Sequence, residues 1–370
     1  MKWEPYAASR LVSWVVHRAV DGAPMLLGVP LFWALHVESF VPHYTQRFQL
    51  LVQAYLMTAA ATSSLDSQLR ARLCALNVSF AGRLSLPLHS KCTLVEFISS
   101  ECRVLKSPKR PLWLTLETAS RTKVRVIFKA GDDVRQDMVT LQLFGLMQQL
   151  WRDANIPVQL QLYECVATSP SSGVVEVVGD AITTAAIHKE GGVLGPMQDM
   201  RFAKWLETQN ASSPKHYMQA LDLFRRSAAG YCVATHVLGI GDRHNDNIMV
   251  GLMNFKRDQT SFVFTKEMAF ALGGTESPFF ATFVALCGRA LNELRQHVHL
   301  ISTWLTLMVP ANMLELQDVH DIYHVVEALV MDLTPTEAAL DFAGKIHTCL
   351  GDPYKRIDNT IHNLVHLLRP

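Results

Sequence analysis

Apolar and polar positions follow two rhythms along the chain. From Val95 to Val178 the rhythm is short: the runs Pro111–Glu117, Lys123–Lys129 and Val158–Cys165 have the texture of short strands and predict them. In Lys123–Lys129 the alternation places Arg125, Ile127 and Lys129 on one face and Val124, Val126 and Phe128 on the other. Between the second and third runs, Val139, Leu143, Leu146, Met147 and Leu150 recur at helical spacing and predict one strong helix. Residues 1 to about 62 carry apolar positions at helical spacing, as at Leu50, Leu51, Ala54 and Tyr55, broken at Gly28 and Pro30, and predict helical hairpins. The polar stretch Thr62–Ser67 reads equally as a linker or a helix–helix loop. Beyond Gly179 the pattern is mostly helical to the end, and no repeat or low-complexity tract is visible. The expected fold is α+β: a helical segment over residues 1–90, a β-rich lobe over 91–178 and a mainly helical lobe over 179–370, with ligands expected in the cleft of such a bilobal layout.

Composition narrows the partners. Hydrophobic residues make up 49% and charged residues 18% of 370, so core-forming material is plentiful and disorder is not expected. Lys+Arg 34 against Asp+Glu 33 leaves a formal net charge of +1, so no global field recruits nucleic acid, and none is expected as a partner. The seven cysteines are scattered without a Cys-x-x-Cys pair, which argues against a disulfide framework or zinc site and fits a reducing compartment. Met1-Lys2-Trp3-Glu4-Pro5 lacks the apolar stretch of a secretory signal, and the greasiest run, Met25–Val37, is interrupted by Gly28, Pro30 and His36; a cytoplasmic chain without a membrane span is expected.

Two constellations carry chemistry. In the first, Lys129 ends a strand and is followed by Gly131, Asp132 and Asp133 at a helix start, with Asp137 in the first turns, where it could face Lys129. Read alone, this pattern also describes a surface lysine beside a solvated acidic turn. The second is more specific: Gly241-Asp242-Arg243-His244-Asn245-Asp246-Asn247-Ile248-Met249 places Asp242 and Asn247 five residues apart, the offset of the Asp and Asn in a protein-kinase catalytic loop. Phosphoryl transfer needs a base near the attacking oxygen and hard oxygen ligands for magnesium, and His244, whose ordinary pKa lies nearest neutrality, is the best candidate base.

Phe128–Asp137 (FKAGDDVRQD) together with Gly241–Met249 (GDRHNDNIM) resembles the phosphoinositide 3-kinase family. Arg10–Leu56 resembles the end of that family's helical domain, and Lys109–Leu114 its phosphate-binding hairpin. Asp246, Ala181–His188, Asn254–Phe264 and Ile361–Leu364 look more like class II members, the hairpin more like class I. The resemblance implies a bilobal kinase-like catalytic domain after a helical-repeat segment, using ATP and Mg2+ to phosphorylate the inositol 3-hydroxyl of phosphoinositides at a membrane surface. It implies that Ser107 and Lys109 touch the β- and γ-phosphates and Lys129 the α-phosphate. Trp113 and Ile127 would cover the adenine, and Glu176-Val177-Val178 would offer it backbone hydrogen bonds. Asp137 and Tyr163 would line the inner pocket, Met249 its floor; Asn247 would ligate magnesium, and Asp242 and His244 would handle the 3-hydroxyl. Taken singly, Trp113, Tyr163 and Met249 read as core packing.

One departure matters. Such kinases carry an Asp-Phe-Gly segment about a dozen residues after the loop Asn, whose Asp clamps the metal. Here Val250 runs directly into Gly251-Leu252-Met253-Asn254-Phe255-Lys256-Arg257-Asp258, which resembles a later family segment. Asp341-Phe342-Ala343-Gly344 lies far downstream in a helical pattern and cannot be the metal site, and the neighbours of Asp258 make it a poor substitute. Loss of that ligand removes several powers of ten in rate. The chain is therefore an active lipid kinase lacking a segment or a non-catalytic module, and the survival of Lys129, Asp242, His244 and Asn247 together favours the former. A phosphatidylinositol 4-kinase or related protein kinase is the nearest enzyme rival. At the C-terminus, Ile357, Ile361, Leu364, Val365 and Leu368 share one helical face, which suits a bilayer surface or a core equally.

Overall fold

Strand β4 (Leu112–Thr118) lies at the middle of the β-rich part, with five of its residues, Leu112, Leu114, Thr115, Leu116 and Thr118, buried. In this computed structural model, residues 65–80, 84–85, 93–106, 109–169, 171–179, 181–189, 200–240, 249–250, 262–309, 313 and 316–351 are described. The helical hairpins expected before residue 62 and the amphipathic C-terminal face at 357–368 lie outside them. The described chain divides into two units. The first draws on residues up to Gln142, on Leu162–Val177 and on Pro310–Glu315; the second takes Leu143–Gln161, Val178–Val309 and Leu316 onward.

The first unit holds helix α1 (Leu65–Phe80), strands β1 (Leu84–Ser85), β2 (Thr93–Phe97), β3 (Arg103–Val104), β4 and β5 (Lys123–Ala130), the start of helix α2 (Arg135–Asp153), and strands β6 (Cys165–Ser169) and β7 (Ser172–Glu176). The seven strands form one antiparallel sheet in the order β1-β2-β4-β5-β7-β6, with β3 paired to β4. Alternation in β5 sends Val126, Phe128 and Ala130 into the core and leaves Ile127 and Lys129 half-buried on the opposite face. Helix α1 begins at Leu65, inside the polar stretch read as linker or loop. It buries Leu69 and Leu73 against Phe97, Cys102, Leu114 and Phe128, so it packs on the sheet, whereas the expected boundary at residue 90 grouped it with the preceding helical segment.

The second unit holds the rest of α2, then β8 (Ile182–Thr183), α3 (Thr184–Lys189), α4 (Met200–Gln209), α5 (Pro214–Val237), β9 (Met249–Val250), α6 (Lys266–Ala271), α7 (Pro278–Gln296), α8 (Val298–Met308), α9 (Tyr323–Ala328) and α10 (Pro335–Cys349). Ser213, Ser277 and Thr334 cap three of these helices, each accepting an N–H of the first turn just ahead of a proline, which has no N–H to leave unpaired. Helices α7 and α10 approach closely at Gly288 and Ala339, and the indole N–H of Trp151 donates to Ala290 O at 2.9 Å. The largely helical expectation for this half is interrupted by β8, whose Thr183 and Ile182 pair with Met249 and Val250 of β9.

The strand expected over Val158–Cys165 is not formed; a strand starts only at Cys165. Val158 and Leu160 are buried while Leu162 is exposed, and the backbone finds helix partners in place of a sheet neighbour. Leu160 N–H donates to Gln148 Oε1 at 2.6 Å, Gln161 N–H to Tyr231 Oη at 3.1 Å, and Arg226 Nε to Pro157 O at 2.8 Å. An extended segment whose polar groups are satisfied by side chains shows strand periodicity without a ladder. No described helix is long and apolar enough to cross a membrane.

Candidate nucleotide and catalytic site

The site of the first unit is assembled where β5 turns into α2. Ile127 stands opposite Trp113 of β4 and Val175 of β7, so one row of the sheet carries Trp113, Ile127 and Val175 side by side. Two residues further along the same face, Lys129 faces Gly173. Gly173 has a steric reason to be glycine: a Cβ there would meet Val134 Cγ2 at 2.0 Å and Val166 O at 2.9 Å. Its absence lets Val134, the residue before α2, settle on the sheet, and the first turn of α2 then brings Asp137 over the strand end.

Lys129 Nζ and Asp137 Oδ2 are 3.3 Å apart, with side chains 22% and 17% exposed. Of the two readings of this lysine, the surface one therefore fails, since it is half-buried on a carboxylate. Burial raises the Asp137 pKa above the ordinary carboxylate value, against the opposing pull of Lys129. Cys165 lies in the same environment, where burial first and the charge of Asp137 second hold its thiol far above its usual pKa; it stays protonated and unreactive. The other acidic residues of the turn are also engaged. Asp133 accepts from Arg135 Nε at 2.8 Å, and Asp132 pairs with Lys109, whose Nζ also donates to Gly131 O at 3.1 Å.

Around this centre, Trp113 is half-buried with the Arg103 guanidinium 4.6 Å from its ring centroid, a cation–π contact the sequence pattern did not disclose. Tyr163 is half-buried just ahead of β6. Glu176 closes β7, its N–H donating to Glu164 O at 2.8 Å and its carboxylate accepting from Glu164 N at 2.9 Å. Val177 N–H donates to Arg125 O at 2.9 Å, and the second unit begins at Val178. Ser107 lies outside the described residues.

In the second unit the ends of the motif loop are fixed and the loop itself, with Asp242, His244 and Asn247, lies outside the described residues. Helix α5 ends in a left-handed Gly239 (φ 64°), where a Cβ would meet the His324 ring at 2.3 Å, and the following Ile240 is buried with its N–H on Thr235 O at 2.9 Å. On the far side Met249 opens β9, paired to β8. Among the described residues no group of His, Cys, Asp or Glu is arranged to hold a metal ion. Asp341 pairs with Lys345 on the surface of α10 and Phe342 is wholly buried, so Asp341-Phe342-Ala343-Gly344 is helix structure as expected; Asp258 lies outside the described residues.

The roles of Asp132 as a partner and Gly173 as a steric gap emerge only from the fold. A glycine inside an apolar strand run is a signal of close backbone approach, which Gly173 carries; nothing local pairs Asp132 with Lys109.

Residues 123–261 match the family described as phosphatidylinositol 3- and 4-kinase. Over nearly its whole length the chain is similar to proteins named phosphatidylinositol 3-kinase. It is 31% identical to phosphatidylinositol 3-kinase 3 of Dictyostelium discoideum, covering 92% of this chain and 23% of that protein. It is 32% identical to the human phosphatidylinositol 4-phosphate 3-kinase C2 domain-containing subunit beta, covering 99% of this chain and 26% of that protein. The human phosphatidylinositol 3-kinase C2 domain-containing subunit gamma is 35% identical over 76% of this chain and 20% of its own length. The chain thus spans about a quarter of the length of the curated relatives it matches. The alignment with subunit beta runs over 419 positions against the chain's 370 residues, so more than forty positions of that relative have no counterpart here. The two sequence motifs, the strand-borne lysine paired to the helix-borne aspartate and this similarity agree, and it is the segment 123–261 that matches the phosphatidylinositol 3- and 4-kinase family.

Proposed function

We propose that the chain carries the catalytic segment of a phosphoinositide 3-kinase, a cytoplasmic enzyme that transfers the γ-phosphate of ATP to the inositol 3-hydroxyl of a lipid at a membrane surface. The observation that carries the reading is the half-buried Lys129–Asp137 pair at the end of β5, in a chain that also holds the Asp242–Asn247 motif. A lysine withdrawn from water on a single carboxylate is a cation ready to take an anionic ligand. Lys129 grips the α-phosphate, Lys109 and Ser107 the β- and γ-phosphates, and Trp113 and Ile127 cover the adenine beside the backbone of Glu176 and Val178. Asp137 and Tyr163 form the inner wall and Met249 the floor. The 3-hydroxyl oxygen forms a bond to the γ-phosphorus as the bond to the β,γ-bridging oxygen breaks; ADP leaves, and His244, oriented with Asp242, takes the hydroxyl proton. The names of the C2 domain-containing relatives support a class II-like substrate, phosphatidylinositol or its 4-phosphate.

Magnesium, when bound, neutralises charge on the β- and γ-phosphates. The donors in this chain do not complete a site for it: Asn247 offers one neutral oxygen, the Asp-Phe-Gly carboxylate is absent, and the described residues supply no alternative group. The excess of aligned positions over residues supports a missing segment. The test is a lipid-kinase assay on phosphatidylinositol vesicles with the chain as it stands and with an Asp-Phe-Gly-bearing segment restored after Val250. The restored chain should yield a 3-phosphorylated lipid and lose it on Lys129→Met or His244→Ala, while the original chain should be nearly inert. Phosphate at the 4-position, or on protein alone, overturns the proposal.

A further inference from the structure

The acidic turn between β5 and α2 pairs each carboxylate with its own cation: Asp132 with Lys109, Asp133 with Arg135, and Asp137 with Lys129. Two of those cations are the lysines assigned above to phosphates. Lys109 belongs to the loop that closes the β3–β4 hairpin, fastened by Leu105 N–H on Pro111 O at 2.8 Å, and its neighbour Arg110 sits at φ 45°, a left-handed conformation unusual for a residue with a Cβ. Asp132 is anchored from the opposite side: Gly131, at φ 80° with open space around its missing Cβ, donates its N–H to Ser171 O at 2.7 Å. Lys109 therefore ties the loop across to the turn at two points, the Asp132 carboxylate and the Gly131 carbonyl.

We propose that Asp132 is a positioning residue for nucleotide binding: its carboxylate holds Lys109 in the nucleotide-free chain, tethering the β3–β4 loop, and is exchanged for a phosphate when the nucleotide enters. The inference rests on the nucleotide-site reading of the preceding section. The side chains of Lys109 and Asp132 are 58% and 30% exposed, so the pair is reached by solvent and is easily exchanged, unlike the half-buried Lys129–Asp137 pair. An exposed pair is weak and salt-screened, so releasing it tightens binding only modestly, by roughly two- to five-fold.

The experiment has two arms. In the first, without nucleotide, a lysine-specific protease is applied and cleavage after Lys109 is read by mass against cleavage after Lys215, which lies exposed at the start of α5 in the other unit. Asp132→Asn should speed cleavage after Lys109 selectively and Asp132→Glu should restore protection; equal rates in wild type and Asp132→Asn overturn the tether. In the second, ATP affinity is measured at low and high salt. Asp132→Asn should tighten binding by roughly two- to five-fold at low salt, with the gain shrinking at high salt and vanishing in a Lys109→Met background. A gain of the same size in that background means the carboxylate acts as a simple repulsive charge, which overturns the proposal. Failure of wild type and Asp132→Asn alike to bind ATP overturns the nucleotide-site reading and the exchange with it, while the protease arm reports on the tether independently.

Discussion

Replacing Arg295 by Met should destabilise the second unit strongly, though the residue touches no proposed ligand. Arg295 lies in the last turn of α7, is 7% exposed, and among the described residues has no carboxylate partner. Its guanidinium instead donates Nε to Leu329 O at 2.9 Å, Nη2 to Val330 O at 3.2 Å and to Leu333 O, and Nη1 to Asn292 Oδ1 at 2.8 Å. These carbonyls follow the C-terminus of α9, where backbone oxygens lack helical donors and the helix dipole favours a cation. Met keeps most of the stem volume but takes the guanidinium donors away from Leu329 O and Leu333 O, while Val330 O keeps the Leu333 N–H at 3.1 Å. Hydrogen bonds from a charged donor contribute about 1.5–3 kcal/mol each, but the wild type already bears the cost of a buried charge without a counter-ion, so a net loss of about 2–4 kcal/mol is expected in place of the full sum. For a unit of this size that is a fall in Tm of roughly 5–15 °C. Urea unfolding followed by tryptophan fluorescence reports it directly, since Trp151 and Trp304 are buried in the same unit. Lys at 295 keeps the charge but not the planar fork and should recover less than half of the loss. The neighbouring Val330 holds φ 42°, a strained value for a β-branched residue, so Val330→Gly should stabilise by up to about 1 kcal/mol. An Arg295→Met variant within about 1 kcal/mol of wild type would refute the reasoning.

Further outcomes follow from other buried groups. His236 is 5% exposed, its Nε2 lies 3.2 Å from Ala328 O, and burial lowers its pKa to about 4. Because the folded value lies below the ordinary 6.5, the stability is intact above about pH 6.5 and is lost as pH falls through 4, by at most roughly 3 kcal/mol; urea midpoints from pH 7 to 4 should show this slope and His236→Gln should flatten it. Gly173→Ala should push Val134 off the sheet, lowering the melting temperature and weakening ATP binding together, and unchanged binding in a folded variant counts against the placement of Asp137 by Val134. At the α7–α10 contact, a Cβ on Gly288 would come 2.9 Å from Ala339 Cβ, so Gly288→Ala should cost about 1–3 kcal/mol in denaturant unfolding, with partial relief from Ala339→Gly.

Much of the site was legible because it is local in sequence. Lys129 and Asp137 are eight residues apart across one turn, so strand alternation and a helix start suffice to bring them together. The stripe Val139, Leu143, Leu146, Met147 and Leu150 is buried throughout. Val158–Cys165 misled because strand-like residue types show which side chains suit a core and carry no information about what pairs the backbone. There the partners are Gln148, Arg226 and Tyr231, the last two roughly seventy residues away.

Residue order alone therefore determined the strand faces, the long helix behind Lys129 and the kinase-like loop with its missing Asp-Phe-Gly, since each depends on the spacing of neighbours. Tertiary structure decided that Gly173 makes room for Val134, that Asp132 takes Lys109 and that Arg295 closes the end of α9. Those contacts join residues far apart in the chain, and their partners are selected by packing and desolvation, which exist only once the chain has folded.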